Sequence, residues 1–303
     1  MLLELHLTLI IAGLLLGGIY AMISFGLTLT FGISRILNVA HGDFLVLGSV
    51  MGLMLVYNIG LNPFATLLVI VPFFFLIGMA FERGLIRTIL KQSHEKALAT
   101  SIVVTVGLSM AIEDSTSFFL GRSGGWSGGL GYISIPYNLP PINIAGFYIP
   151  TLRLLSLISI IIIAVLLYLL ISKTYFGKII RATIQDRETA MILGANVNRI
   201  STITIGLGIS LAAVAGLFYA MITSFSPFAG LGLTVKALTI VVLGGLGSLI
   251  GSLLGGLIIG LVESYVSFYI GTEWAPTASI LILILILLVK PSGLFGKRDS
   301  RIG

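Results

Sequence analysis

The chain has 303 residues, of which 57% are hydrophobic and only 9% are charged, and its mean hydropathy is +1.14. These values exclude a soluble globular domain, because apolar runs long enough to cross about 30 Å of hydrocarbon recur along the whole chain. The net charge of +6 lies in the segments between those runs and indicates membrane orientation rather than a nucleic-acid surface.

The apolar runs predict the fold class. In lipid every backbone amide needs a partner within the protein, so a spanning chain forms helices or a closed barrel. These runs are continuous rather than alternating, which favours helices. We therefore predict an all-α polytopic membrane protein with eight or nine transmembrane helices, the first of them a retained span and not a signal peptide. The runs cover residues 7–33, 44–59, 64–81, 97–120, 152–171, 200–223, 235–246, 250–270 and 278–289.

Basic residues predict which side each loop faces. Segments 83–96, 173–199 and 290–301 are rich in Lys and Arg and are expected to be cytoplasmic, whereas the nearly uncharged loop 122–150 is expected outside. An even number of crossings must then separate Arg199 from Lys290. The Gly-rich stretch is therefore expected to cross twice or re-enter, with a break near 243–256. The same parity places the N-terminus outside and the C-terminus in the cytoplasm.

Glycine is abundant, at 37 residues, and forms small-xxx-small pairs on several spans. Such faces let helix backbones approach closely where no hydrophobic effect drives their association. The simplest interpretation is helix packing, while the density of glycine between 244 and 260 also points to a pathway or a subunit contact. We therefore include Gly244, Gly245 and Gly247 among the candidate substrate-pathway residues. The pairs are Gly13–Gly17, Gly48–Gly52, Gly247–Gly251, Gly251–Gly255 and Gly256–Gly260.

The stretch ILNVAHGDFLVLG, residues 36–48, places Asn38, His41 and Asp43 at the start of an apolar run. In one interpretation Asn38 caps the helix and Asp43 lies in its first turn, where the helix dipole favours a carboxylate. In the other, this is a half-helix start that lines the transport pathway, and its N-terminus would suit the carboxylate of an amino acid. The two interpretations are compatible. The predicted topology places the turn nearer the cytoplasm than the membrane midplane.

Few other residues carry chemistry. Glu113 and Asp114 are expected to be interface residues near an outer helix end, and Glu263 is a candidate buried partner of Lys236 or of a basic residue on another chain. No series of buried carboxylates resembles a proton relay, so an ion-driven mechanism has little support.

Enzyme signatures are absent or misplaced. Residues 125–129 fit G-x-S-x-G but lack a strand-to-helix context, and no phosphate-binding G-x-x-x-x-G-K-[ST] motif occurs. Without cysteine, and with only His6, His41 and His94, the chain is expected to hold no metal. We predict that this is no enzyme and that it has no cofactor of its own.

Residues 173–199 form a polar, basic elbow between two apolar runs. A helix is expected to begin at Thr183 or Gln185, with Asp186 and Glu188 near its N-terminus and Gly194 as its stop. Its apolar face suits a groove on a soluble partner. The alternatives are a helix on lipid head groups and a loop that only carries orientation charge. The expected face consists of Ala190, Leu193 and Val197.

Four stretches carry a family resemblance: residues 17–44, 177–200, 236–264 and LILLVKPSGLFG, which ends at Gly296. With the N-x-A-H-G-[DE] signature and the VLGGLGS run, the chain resembles the LivH-type permease subunit of ABC importers for branched-chain amino acids. The resemblance implies one transmembrane permease domain, 1–303, in the inner membrane. It implies transport of Leu, Ile, Val or related neutral amino acids into the cytoplasm. The alternatives are a permease for an amide, urea or a monosaccharide, and an ion-coupled transporter.

The resemblance also implies partners: a second, LivM-like permease chain, two ABC ATPase subunits that bind ATP and Mg²⁺, and an extracytoplasmic solute-binding protein. The elbow 173–199 would be the coupling segment that docks on an ATPase. Glu113 and Asp114 stand near a position where the family usually has amides, which argues against a substrate role for them. The expected ATPase-coupling residues are Arg181, Ala182, Asp186, Glu188, Ala190, Gly194 and Asn196.

Overall fold

The structure, a computed structural model, describes residues 2–122, 133–135, 139–144 and 147–296. A π-helical turn, Glu82–Ile86, joins α3 to α4, and two 3-10 turns, Pro227–Ala229 and Thr272–Trp274, lead into α10 and α12. The helices are α1 (Leu2–Ser34), α2 (His41–Ile59), α3 (Leu67–Phe81), α4 (Arg87–Ile89), α5 (His94–Arg122), α6 (Thr151–Lys173), α7 (Tyr175–Gln185), α8 (Arg187–Ile192), α9 (Val197–Ile222), α10 (Gly230–Gly244), α11 (Leu249–Tyr269) and α12 (Ala275–Val289).

Nine helical segments within the described residues are long and apolar enough to cross a membrane. They are α1, α2, α3 with its extension to Ile89, α5, α6, α9, α10 with its preceding turn, α11, and α12 with its preceding turn. The all-α polytopic class is thereby confirmed, at the higher of the two expected counts. One short antiparallel pair, β1 (Ile142–Ile144) and β2 (Phe147–Ile149), lies between α5 and α6. The G-x-S-x-G stretch at 125–129 and the basic tail beyond Gly296 lie outside the described residues.

Helix α9 is buried along most of its length because α1, α2 and α3 pack around it. Small residues make this possible: Gly208 of α9 faces Gly26 of α1, and Gly216 lies against the backbone at Leu45 of α2. The outer surfaces of α3, α6 and α12 expose aliphatic and aromatic side chains instead. That distribution is the one expected for a chain whose solvent is partly lipid.

The contact between α1 and α11 is made by two of the predicted glycine faces. Gly13 and Gly17 of α1 lie against the backbone of α11 at Gly256 and Gly260. A Cβ atom at Gly260 would collide with the main chain of Gly17, so both helices require glycine to approach this closely. The packing interpretation of these pairs is confirmed.

A buried polar network joins four helices inside the bundle. Lys236 Nζ of α10 lies 2.9 Å from Glu263 Oε1 of α11 and donates to Tyr20 Oη of α1 at 2.9 Å. Tyr20 Oη in turn donates to Glu263 Oε2 at 2.6 Å, and Ser279 of α12 donates to the same carboxylate. The pairing of Glu263 with Lys236 was expected from the sequence and is confirmed. Because each charge has partners, the network satisfies groups that would be costly alone at this depth.

We predict that Gly260→Ala destabilises the folded protein, because the added methyl group meets backbone that has no room to shift. Overpacking of this kind costs about 1–3 kcal/mol, which lowers the midpoint of thermal unfolding in detergent. The matched control is Gly107→Ala on α5, where nothing lies within 4 Å of the added Cβ and the alanine favours the helix. Equal unfolding midpoints for the two variants would contradict the close α1–α11 contact.

Candidate functional site

Helix α2 begins deep inside the bundle rather than at the inner end of α1. His41 Nε2 donates to the carbonyl oxygen of Ile23 at 3.2 Å, and Ile23 precedes the end of α1 at Ser34 by eleven residues. At 1.5 Å per residue this is a depth of roughly 16 Å. Residues 35–40 therefore turn back alongside α1 before α2 starts. Hydropathy does not record such a reversal, and the expectation that this turn lies nearer the cytoplasm than the midplane stays a prediction.

The turn carries three buried polar side chains, Asn38, His41 and Asp43. The expected cap by Asn38 is not formed: the N-cap position of α2 is Ala40, and no side chain caps the helix. Asp43 does lie in the first turn, as expected. Five atoms of these side chains form no hydrogen bond of good geometry within the described residues: both amide atoms of Asn38, His41 Nδ1 and both carboxylate oxygens of Asp43, although the Ser109 hydroxyl of α5 lies beside the Asp43 carboxylate.

Hydroxyl groups from α5 and α10 hold the turn in place. The Val39 amide donates to Thr105 Oγ1 of α5 at 3.1 Å, and the Val39 carbonyl accepts from Thr234 Oγ1 of α10 at 2.8 Å. The Gly42 amide donates to the same Thr234 oxygen at 2.7 Å. Backbone that is not helical at this depth thus finds its partners in neighbouring helices, as the bilayer interior requires.

These bonds leave little room for an anion at the start of α2. The amides of His41, Asp43 and Phe44 all donate to carbonyls of Asn38 or Ala40, and the Gly42 amide is used by Thr234. The sequence-based expectation of a carboxylate at this helix N-terminus therefore gains no support from the geometry. The unpartnered atoms are mostly acceptors, which favours a ligand group that donates hydrogen bonds.

One face of α5 continues this polar surface along the helix, and the sequence analysis missed it. The buried residues of that face are hydroxyl-bearing: Ser101, Thr105, Ser109 and Thr116. Ser109 and Glu113 of the same helix lie close enough to Asp43 to influence its carboxylate. The sequence does contain a signal for this face, because Ser101, Thr105 and Ser109 recur every four residues, the spacing that places side chains on one side of a helix. We name the α5 face together with Asn38, His41 and Asp43 the polar lane.

The Gly-rich candidates Gly244, Gly245 and Gly247 lie elsewhere. Gly245 and Gly247 have φ of 99° and 82° and form the turn between α10 and α11, so the expected break is a tight turn of four residues. The segment that follows α12 packs against this turn, since the Phe295 amide donates to the Gly244 carbonyl at 3.0 Å. This turn is at the far end of α10 from Gly230, whose Cα lies against the Asp43 carboxylate. The structure does not bring the two candidate sets together.

The elbow consists of two short helices, not one. Helix α7 ends at Gln185, and α8 begins at Arg187 with Asp186 as its N-cap. Asp186 Oδ1 accepts from the amides of Glu188 and Thr189 at 3.0 and 3.1 Å. The prediction that a helix begins at Thr183 or Gln185 is therefore wrong. Both residues belong to α7, and the Asp186 carboxylate caps a second helix, α8, which begins at Arg187.

The remaining expected coupling residues have defined places in the elbow. Gly194 ends α8 with φ of 87°, as expected, and Asn196 caps α9 by accepting from the Arg199 amide at 3.1 Å. Arg181 Nη1 donates to the Ile171 carbonyl at 2.7 Å and so fastens α7 to the end of α6. Ala182 is exposed on the next position of α7, and Glu188 is exposed in α8.

The elbow presents an apolar surface. Ala190 and Val197 are buried as the predicted face requires, but Leu193 is 79% exposed and Ile192 is 84% exposed. Between α7, α8 and the start of α9 lies a groove of about 540 Å³, whose lining includes Phe176, Ile179 and Leu193. Exposed side chains of this kind on a polar segment indicate a contact surface for another molecule.

Comparison with known proteins identifies relatives over nearly the whole chain. The family model described as "Branched-chain amino acid transport system / permease component" matches residues 9–290. The chain is 30% identical to the high-affinity branched-chain amino acid transport system permease protein LivH of Salmonella typhimurium, over 95% of this chain and 94% of that protein.

Two further relatives differ in how much of the chain they match. The permease protein BraD of a high-affinity branched-chain amino acid transport system in Pseudomonas aeruginosa is 29% identical, over 96% of this chain and 95% of its own. A shorter match, 30% identical over 41% of this chain and 36% of the relative, is to the autoinducer 2 import system permease protein LsrC of Escherichia coli. No solved structure matches the chain significantly.

We predict that cysteines placed on the polar lane react with a membrane-impermeant methanethiosulfonate reagent, whereas cysteines on the opposite face of α5 do not. The chain has no cysteine of its own, so single substitutions report cleanly. Ser109→Cys and Thr116→Cys are expected to react about tenfold faster than Val103→Cys and Met110→Cys, because the reactive thiolate forms in water and not in lipid. Val103 and Met110 are 72% and 60% exposed on the outer surface of the chain. Equal rates on both faces would show that α5 lines no aqueous path.

Proposed function

This chain belongs to the family of branched-chain amino acid transport system permease components, and from that membership we propose that it is the permease subunit of an ABC importer. It carries leucine, isoleucine, valine or a related neutral amino acid into the cytoplasm. The observation that carries the proposal is the family match over residues 9–290, together with full-length relatives that are named for branched-chain amino acid transport.

The polar lane supports a small zwitterionic substrate. Its unpartnered acceptors, the Asp43 carboxylate, Asn38 Oδ1 and His41 Nδ1, suit the ammonium group of an amino acid, which has three N–H donors. The α5 hydroxyls give and accept hydrogen bonds over a longer stretch of the membrane and suit a substrate that moves. We propose that the substrate passes between α2 and α5 with its ammonium group toward Asp43.

The elbow supports separate ATPase subunits. This chain has no phosphate-binding loop, so ATP and Mg²⁺ bind to partner chains. The coupling segment 173–199 exposes Ile192 and Leu193 beside a groove, which fits docking on a soluble protein. We propose that two ATPases, a second, LivM-like permease chain and an extracytoplasmic binding protein complete the system.

The charge distribution supports the orientation. If each of the nine candidate spans among the described residues crosses the membrane, the two ends lie on opposite sides, and the basic loops favour a cytoplasmic elbow and C-terminus with the N-terminus outside. The proposed location is the cytoplasmic, or inner, membrane.

A different solute is the second candidate function. The match to a permease named for autoinducer 2 import, over 41% of this chain, favours it, because that relative is not named for branched-chain amino acids. The mechanism is shared, and only the substrate of the polar lane differs.

The experiment is uptake of radiolabelled leucine into proteoliposomes that contain this chain with the permease and ATPase chains encoded beside it, after addition of the binding protein. Uptake is expected to require ATP and to be competed by isoleucine and valine. Transport of another solute instead of leucine removes only the substrate assignment. Uptake that persists without the ATPases removes the ABC mechanism.

We predict that Asp43→Asn lowers leucine uptake by at least about tenfold, because a buried charged hydrogen bond is worth about 1.5–3 kcal/mol. The neutral isostere keeps the shape of the side chain, and ATP hydrolysis by the complex is measured as the control for assembly. Uptake at the wild-type rate would exclude Asp43 from the pathway.

We predict that Ile192→Asp separates the ATPases from the permease and abolishes uptake. A charge at the centre of an apolar contact costs about 2 kcal/mol or more of binding free energy. Because the Ile192 side chain is exposed, the substitution is expected to leave the folding of this chain unchanged. The control is Ser93→Asp, which precedes α5 in another inner loop and suits an N-cap position. ATPase co-purification and uptake are measured for both variants, and an active Ile192→Asp complex would remove the docking role of the elbow.

A further inference from the structure

Arg35 connects the elbow to the end of α1. It directly follows α1 and is exposed, and its Nη2 donates to the carbonyl oxygen of Ile184 at 3.0 Å. Ile184 lies in the last turn of α7, where carbonyls have no partner within their own helix. The guanidinium therefore caps α7 from a different part of the chain, with the charge sign that a helix C-terminus favours.

The Ile184 side chain adds a second contact at the same place. Its Cγ1 and Cδ1 atoms lie over Gly32, in the last turn of α1. The final turn of α7 is thus held on α1 by a backbone acceptor and by an apolar side chain together. A displacement of α7 must act on the end of α1 and on Arg35.

The backbone of Arg35 is in an unfavourable conformation. Among the described residues it is the one non-glycine residue with positive φ, at 53°. Glycine would adopt this conformation without strain, so the arginine side chain must contribute something that offsets it. Strained residues of this kind mark functional positions when the surrounding structure holds them in place.

The other end of the same short segment is the pathway turn. Three residues after Arg35 comes Asn38, and the Val39 peptide is bound by Thr105 of α5 and Thr234 of α10. Between the two ends, Ile36 is 3% exposed and packs in the core. Residues 35–39 are therefore a strap with one end on the elbow and the other on the polar lane.

We propose that Arg35 is a positioning residue that transmits movement of the coupling segment to the pathway turn. The inference rests on the proposed function, since it assigns a route to the coupling that the function requires. When the elbow moves, the Arg35–Ile184 bond pulls or releases the strap. The peptide of Val39 and the side chains of Asn38, His41 and Asp43 then change position against α5.

The first test measures uptake and ATP hydrolysis in the reconstituted complex. Arg35→Met keeps the unbranched apolar stem of the side chain but removes the donor, and it is expected to lower uptake by about tenfold, the loss expected for one charged hydrogen bond, while ATP hydrolysis continues near the wild-type rate. Arg35→Lys keeps a charged donor and is expected to retain most of the uptake.

The matched control is Arg83→Met, which removes an exposed charge from the π-helical turn between α3 and α4, in a basic segment of the same predicted side. It is expected to leave both rates unchanged, which separates the strap from a role of Arg35 as mere orientation charge. Equal losses of uptake and ATP hydrolysis in Arg35→Met, or wild-type uptake, would overturn the proposal.

The second test needs no ATPase. Amide hydrogen exchange is measured on the full chain in lipid nanodiscs, for wild type and for Arg35→Met. The proposal expects faster exchange both at 182–186 of the elbow and at 36–42 of the turn, because the variant releases the two segments together. Faster exchange in only one of them would overturn the link. A wild-type complex without ATP-dependent uptake would instead refute the proposed function, and exchange would still decide whether Arg35 joins the two segments.

Discussion

Backbone that leaves the helical conformation inside a membrane must find its hydrogen-bond partners within the protein, and the centre of this fold is arranged around one such segment. Residues 35–40 reverse direction beside α1, and α2 begins roughly a third of the way back along it, at the level of Ile23. Thr105 and Thr234 supply the partners for the Val39 peptide. Helices α5 and α10 must therefore stand beside the turn, and Gly230 must lack a side chain where α10 meets Asp43.

The same segment contains buried polar side-chain atoms without hydrogen-bond partners, and such atoms do not stabilise the fold. Two of the buried polar clusters among the described residues differ in how many of their atoms have hydrogen-bond partners. Around Glu263, each charge has a partner, and the network joins helices. Around Asp43, five side-chain atoms have none within the described chain. Natural proteins depart from full satisfaction mainly at functional sites, and this difference is why the proposed substrate pathway is placed at the second cluster and not at the first.

Much of the fold was predictable because its signals are local. Continuous apolar runs predicted the spans, glycine pairs predicted closely packed helix faces without indicating that α1 meets α11, and Lys236 was one of the partners predicted for Glu263. The depth of the Asn38–Asp43 turn was not predictable, since hydropathy counts apolar residues and does not record a chain that doubles back. The division of the elbow at Asp186 had a local signal in its capping carboxylate. The exposure of Leu193 had none, because an apolar residue in a short helix fits a core and a docking surface equally well.

The packing also determines which parts of the bundle can move. Helices α1 and α11 meet backbone to backbone through glycine, and α9 is enclosed by α1, α2 and α3. Close contacts of this kind hold one arrangement and do not deform gradually. Helix α5 is different, because much of its surface is exposed and it meets the turn through hydroxyl bonds. An opening between α2 and α5 would therefore separate side-chain contacts rather than glycine-packed backbones, and the polar lane lies along that boundary.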